Sequence, residues 1–219
     1  MVQIDGERLL NSLRKLRTFG ALDNGVVRPT YSPIDWESRE WLVEQMEAAG
    51  LDAVIDGVGS VHGRSRNPGP ALIIGSHTDT QPEGGWLDGA MGVMYGIEVA
   101  RALHDDPTTQ HLAVDVVSWA DEEGTYGSFI GSRSFFGDFS DADLALQNAD
   151  GETIAAALER LGLTSTPRAL HEPERHVGYL EAHIEQGPHL EDTGKLLGVV
   201  TSIVGLRAMQ ITFTGEQNH

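Results

Sequence analysis

Apolar residues recur at helical spacing in the first segment, where Leu9, Leu10, Leu13 and Leu16 precede Gly20 in "DGERLLNSLRKLRTFG"; this predicts an amphipathic helix. A second helix is predicted over "SPIDWESREWLVEQMEAAG", with Ser32 as N-cap, Pro33 at the first helical position and Gly50 as the stop. The pattern then changes to short runs. "LDAVID" and "GSVHGRS" read as two strands joined by a turn at Asp56-Gly57. "PALIIGSH" and "HLAVDVVSWA" are near-continuous apolar runs, as in strands buried on both faces. Between them "DGAMGVMYGIEVARAL" predicts a helix beginning near Asp88.

From Phe129 to Leu161 the pattern is mostly helical, and "DGETIAAALERLG" is expected to be capped by Asp150 and closed by Gly162. A connector with Pro167 and Pro173 leads to "VGYLEAHIE", which reads as a strand, and the β-branched alternation of "GVVTSIVGLRAMQITFTGEQNH" predicts a new sheet. Alternating strands and helices make this an α/β layered domain, with a central β-sheet flanked by helices.

The composition narrows the class of partner. Fifteen basic against 33 acidic residues give a formal charge of −18, which argues against nucleic acid or an anionic membrane as partner. The chain has no cysteine, so thiolate ligands and a cysteine nucleophile are excluded, and any metal must sit on His, Asp and Glu. "MVQIDGERLL" lacks the basic-then-apolar order of a signal peptide, and no window approaches 18 consecutive apolar residues. The expectation is a cytoplasmic protein.

One stretch, "GSHTDTQPEGGWLDGA", crowds acids and a histidine into a glycine-rich segment directly after the apolar run "ALIIG". Open α/β sheets keep ligands at the carboxyl ends of their strands. His77 falls at such an end, Asp88 at a helix start, "ADEEG" after another strand and His183 in a later one. Scattered imidazoles and carboxylates of this kind hold metals at about 2.1 Å. Asp79, two positions after His77, is placed to accept the ring's distal N–H and fix its tautomer. The adjacent acids of "DEE" can divide their work, one binding metal while the other handles a proton, which suggests hydrolysis. His62, His104, His111, His171, His176 and His189 are read as structural or surface residues.

The motifs "GSHTDT", "GGWLDGAMGV", "ADEEG", "GSRSFFG" and "EAHIEQGPHLE", with the terminal "GEQNH", resemble the hydantoinase/carbamoylase branch of the dinuclear zinc amidohydrolases and peptidases. N-carbamoyl-L-amino-acid hydrolases, allantoate amidohydrolases and β-ureidopropionases belong to that branch. The resemblance implies that Asp88 bridges two metals, that His77 and His183 complete one site and that Glu123 binds the other. Glu122 would be the general base toward a bridging water, and Gln186 and His219 would contact the substrate. The two divalent ions would be zinc, with manganese, cobalt or nickel able to take the same sites. The substrate would be a small ureido or amide molecule, such as an N-carbamoyl amino acid or an allantoate-like ureido acid.

The resemblance further implies that residues 1–205 are the N-terminal part of the catalytic domain. Residues 206–219 would be the first strand of an α+β lid and dimerisation domain. Family chains continue past the position of His219, so the expectation is a truncated chain whose full-length form is a homodimer. One loop departs from the pattern: "TYGSFIGSR" follows "ADEEG" where the family carries an arginine-phenylalanine pair. Two competing readings are an aminoacylase or dipeptidase-type amide hydrolase, separable because only carbamoyl cleavage yields ammonia directly, and a non-catalytic fragment retaining the fold.

Overall fold

The computed structural model describes residues 2–205, 209, 211–216, 218 and 219. They divide into two units, Met1–Ile184 and Glu185–His219. The first unit begins with α1 (Gly6–Thr18), a small hairpin of β1 (Ala21–Leu22) and β2 (Gly25–Val26), and α2 (Pro33–Ala48). Then come β3 (Leu51–Ile55), β4 (Val61–Ser65), β5 (Ala71–His77), α3 (Ala90–Asp105) and β6 (Ala113–Trp119). Three short helices, α4 (Ile130–Phe135), α5 (Asp141–Leu144) and α6 (Ile154–Arg160), precede the last strand, β7 (His176–Leu180).

The five longer strands form one mixed sheet in the order β3-β4-β6-β5-β7. β3, β4 and β6 pair antiparallel. β5 runs parallel to both β6 and β7, and the β5–β6 connection passes through α3, as a parallel pair requires. Every residue of β6 is buried, and in β5 all but Leu72 are, which explains their near-continuous apolar pattern. Leu13, Leu16, Leu42, Met46, Val93, Met94 and Ile97 from α1, α2 and α3 pack on one face against Val61, Ile74 and Val116. On the other face Phe135 packs with Ile73, Val117 and Trp119. Val177, Tyr179 and Leu180 of the edge strand β7 stay exposed.

Side chains explain where the elements start. The Ser32 hydroxyl accepts from the Asp35 amide at 3.2 Å, and Pro33 opens α2. The predicted start of α6 moves: Thr153, not Asp150, is its N-cap and accepts from the Ala156 amide at 3.1 Å. The expected two-residue turn at Asp56-Gly57 is a longer loop. Asp56 Oδ1 takes the Val58 and Ser60 amides at 3.1 and 2.9 Å, and its Oδ2 takes the Ala169 amide at 3.0 Å.

Within the second unit α7 (His189–Asp192) is a single turn, and the Glu185 carboxylate accepts from the Leu190 amide at 2.8 Å. The sheet predicted for the final stretch is not observed: among the described residues of 198–219 none is in a strand, and Val199, Ile203, Ile211 and Phe213 are exposed. A β-branched run becomes a strand only when a neighbour completes its hydrogen-bond ladder. Residues 206–208, 210 and 217 of the expected lid segment lie outside the described residues. Among the described residues no helix is long and apolar enough to cross a membrane.

Candidate metal centre

Three side chains converge at the carboxyl end of the parallel strands. His77 ends β5, Asp88 lies just before α3, and His183 follows β7 by three residues. One donor atom from each can be chosen so that all lie within 4.8 Å of one another. That span is close to the separation of about 4 Å between opposite ligands bound at about 2.1 Å. His183 Nε2 is 2.9 Å from Asp88 Oδ1, and the two imidazoles lie 30° from parallel with centroids 6.2 Å apart. Two imidazole nitrogens and a carboxylate oxygen are a donor set that fits a divalent cation.

The backbone makes room for this approach. Gly89 has φ +63°, and a Cβ there would lie 2.4 Å from the His77 ring. Gly92, in the first turn of α3, would meet the Ala182 carbonyl at 2.6 Å and Ser76 Cβ at 2.9 Å. Glycine therefore lets the helix start close against both histidine-bearing segments. Behind β5, the buried Arg28 donates to the Thr78 carbonyl at 2.7 Å and to those of Leu16 and Phe19 at 3.0 and 2.8 Å. Its burial lowers the guanidinium pKa to about 10, so it remains charged at neutral pH.

The acids divide as follows. Glu122 Oε2 faces His77 Nε2 at 3.4 Å. Burial pushes the Glu122 carboxyl up; His77 pulls it down, while Asp79, Glu123 and Glu181 add to the rise, and the net direction is upward. For His77, burial lowers the imidazole pKa but the Asp79 and Glu122 charges outweigh it, so the net direction is also up. Glu123 is turned toward Gln81, whose amide nitrogen donates to its carboxylate at 2.9 Å and its carbonyl at 2.7 Å. It is not one of the three convergent donors.

Asp79 is fully buried. His77 Nδ1 lies 3.0 Å from the Asp79 main-chain carbonyl and 3.7 Å from Asp79 Oδ1. The ring is thus held by the backbone oxygen, not by the carboxylate the sequence suggested. Asp79 Oδ2 instead accepts from the Glu123 amide at 3.1 Å, tying the β6 loop to the β5 end, while Oδ1 has no hydrogen-bond partner. Asp121 knots the same loop: its carboxylate accepts the amides of Thr125, Tyr126 and Gly127 at 2.7, 3.0 and 2.8 Å. Its burial pushes the carboxyl up to about 6 against those three amides.

The chain has counterparts among known proteins. Residues 58–161, which contain His77, Asp88, Glu122 and Glu123, match peptidase family M28. The N-carbamoyl-L-amino acid amidohydrolase of Geobacillus stearothermophilus is 34% identical over 224 residues, covering 99% of this chain and 55% of the relative. The allantoate amidohydrolase of Escherichia coli (strain K12) is 34% identical over 212 residues, covering 93% and 51%. The crystal structure of an amidase of the hydantoinase/carbamoylase family from Burkholderia phymatum matches with a TM-score of 0.87 and 56% identity, over 90% of this chain and 49% of that one.

Over nearly its whole length the chain is similar to members of the hydantoinase/carbamoylase family. It spans about half the length of the curated relatives it matches. Gln186 and His219, expected to contact substrate, belong to the second unit, and both are exposed. Sequence reasoning passed over Gly89, whose only signal is its place directly after Asp88. It also passed over Glu181, which accepts from the Ser76 hydroxyl and, at 3.2 Å, from the Tyr179 hydroxyl. Glu181 precedes His183 by two, the spacing that puts side chains on one face of extended chain.

Proposed function

We propose that this chain carries the greater part of the catalytic site of a metal-dependent hydrolase that cleaves a linear amide or ureido C–N bond. N-carbamoyl amino acids and allantoate-like ureido acids are the favoured substrates, as the names of the relatives suggest. The observation that carries the reading is the convergence of His77, Asp88 and His183, with the Glu122 carboxylate 3.4 Å from His77 Nε2.

His77, Asp88 and His183 would hold one divalent ion, and Glu123 with a shared Asp88 would supply ligands to a second; zinc suits the donor set, and manganese, cobalt or nickel could replace it. A divalent ion there supplies Lewis acidity, polarising the scissile carbonyl and making water easier to deprotonate. Glu122 takes the proton from the attacking water and returns it to the leaving nitrogen, a role for which a raised carboxyl pKa is suited. Asp79 positions the centre, holding His77 through its carbonyl and Glu123 through its carboxylate. Gln186 and His219 are assigned to substrate contacts. The protein is proposed to work in the cytoplasm, as a homodimer in its full-length form.

The test is ammonia release from N-carbamoyl-L-amino acids with zinc supplied, beside elemental analysis of zinc per chain. Ammonia with bound zinc is the expected result. Cleavage of N-acyl or dipeptide substrates with no ammonia from carbamoyl ones would move the assignment to an acylase or peptidase. A chain that binds no zinc and releases nothing would remove the reading.

A further inference from the structure

A cleft of about 500 Å³ is lined by Gln81, Glu123, Asp150, Glu152 and Arg160 among others, and Glu123 adjoins Glu122 in the chain. We infer that this cleft takes the non-reacting end of the substrate and selects groups rich in N–H donors, amide or guanidinium, over carboxylates. The inference rests on the hydrolase reading for the identity of its ligands.

Three observations support it. Among the described residues of the cleft the one cation is already engaged: Arg160 Nε and Nη2 each donate to the Glu152 carboxylate at 2.9 Å, and Nη1 reaches the Tyr31 carbonyl at 3.3 Å. Tyr126 donates to the same carboxylate at 2.6 Å. Among the described residues of the cleft an anionic ligand therefore finds no uncommitted positive charge, while the Asp150 carboxylate also lines it and favours a donor or a cation.

Second, Thr30 lines the cleft and is 2% exposed, yet its Oγ1 has no hydrogen-bond partner. A buried hydroxyl without a partner is uncommon, and a ligand N–H would satisfy it. Third, the wall is built under strain. Tyr31 has φ +61°, the left-handed region that a bulky side chain enters only when its surroundings hold it there. Asp35 Oδ2 accepts its amide at 2.9 Å and its hydroxyl donates to the Val58 carbonyl at 2.8 Å. Tyr126, whose ring centroid lies 5.4 Å from that of Tyr31, also lines the cleft and falls in the loop where this sequence departs from the arginine-phenylalanine pattern that the resemblance implies.

The experiment is calorimetric binding of N-carbamoyl-L-arginine, N-carbamoyl-L-glutamine and N-carbamoyl-L-glutamate to the zinc-supplied protein, in a Glu122→Gln background that leaves the ligand intact. Arginine and glutamine derivatives should bind about tenfold more tightly than the glutamate derivative, the scale of one charged hydrogen bond. Asp150→Asn should remove the advantage of arginine over glutamine. Thr30→Val, which deletes an oxygen without a protein partner, should weaken both donor ligands several-fold with no loss of melting temperature. Equal binding of all three, no binding of any, or no change in either variant would overturn the inference. Ammonia release measured separately on the unsubstituted protein keeps the two claims apart. Ordered binding without ammonia leaves the selectivity standing and removes the hydrolase, and ammonia from all three substrates without ordered binding does the reverse.

Discussion

Gly89 lies against His77 so closely that a Cβ on residue 89 would sit 2.4 Å from both Nε2 and Cδ2 of the imidazole. Gly89→Ala therefore meets two penalties, the clash and a φ of +63° that an L side chain tolerates poorly. The expected outcome is a stability loss of about 1–3 kcal/mol in urea titration, together with at least partial loss of zinc affinity as His77 is displaced. Unchanged zinc affinity would show that the ring does not need its present position.

Glu122 and Asp88 should separate proton transfer from metal retention. Glu122→Gln should keep bound zinc while turnover falls by about 10²–10⁴; near-normal turnover would remove Glu122 as the base. Asp88→Ala should release zinc, because one oxygen of the convergent set goes with it, and elemental analysis after dialysis reads the difference.

The helix-to-helix link between Arg8 and Glu98 should appear as acid sensitivity. Arg8 holds the Glu98 carboxylate through Nε at 2.9 Å and Nη2 at 2.7 Å, and the Asp5 amide donates at 2.8 Å. Burial pushes the Glu98 carboxyl up, but these hydrogen bonds and the neighbouring arginines outweigh it and hold it below its ordinary value. A lowered folded pKa contributes stability above the unfolded value near 4.5 that is lost as pH falls through the folded one. Glu98→Gln should cost about 2 kcal/mol at pH 7, with the gap to the parent closing below pH 4.5. A constant gap from pH 7 to pH 3 would contradict the linkage.

Arg39 and Asp35 pair at 2.8 Å with both side chains fully buried. Removing one partner strands the other's charge, so Arg39→Leu should cost about 3–5 kcal/mol. The double change Asp35→Leu with Arg39→Leu should cost less than the sum of the singles. Additive losses in chemical denaturation would show that the two do not act as a pair.

These pairs mark the limit of what sequence patterning reveals. The runs "ALIIG" and "AVDVVSW" announce buried strands because burial on both faces leaves no polar alternation, and Ser32-Pro33 announces α2 because both residues act locally. The hairpin of β1 and β2 carries no such signal, since two-residue strands show no period. The Asp150 cap and the Asp56-Gly57 turn were misplaced for a common reason. In each, a side chain takes an amide that the local pattern does not point to: Thr153 takes that of Ala156, and Asp56 takes that of Ala169, 113 residues along the chain. At the candidate metal centre, the residue types at the end of β5, at the start of α3 and after β7 point to His77, Asp88 and His183, which the fold brings together, whereas Glu123, expected beside them, turns to Gln81. The acceptor of the His77 ring was not legible, because the choice between the carbonyl and the carboxylate of Asp79 depends on where the Glu123 amide arrives.

The strand order β3-β4-β6-β5-β7 also sets a timetable for synthesis. β3 and β4 can pair as soon as both have left the ribosome, but both in-sheet neighbours of β5 lie later in the chain. β5 emerges with His77 at its end and no strand beside it until Trp119 has been made, and its other side waits for Leu180. The segment that begins the candidate metal centre is therefore made well before its neighbours in the sheet, and the chain between 78 and 180 must follow before that apolar run is paired on both sides.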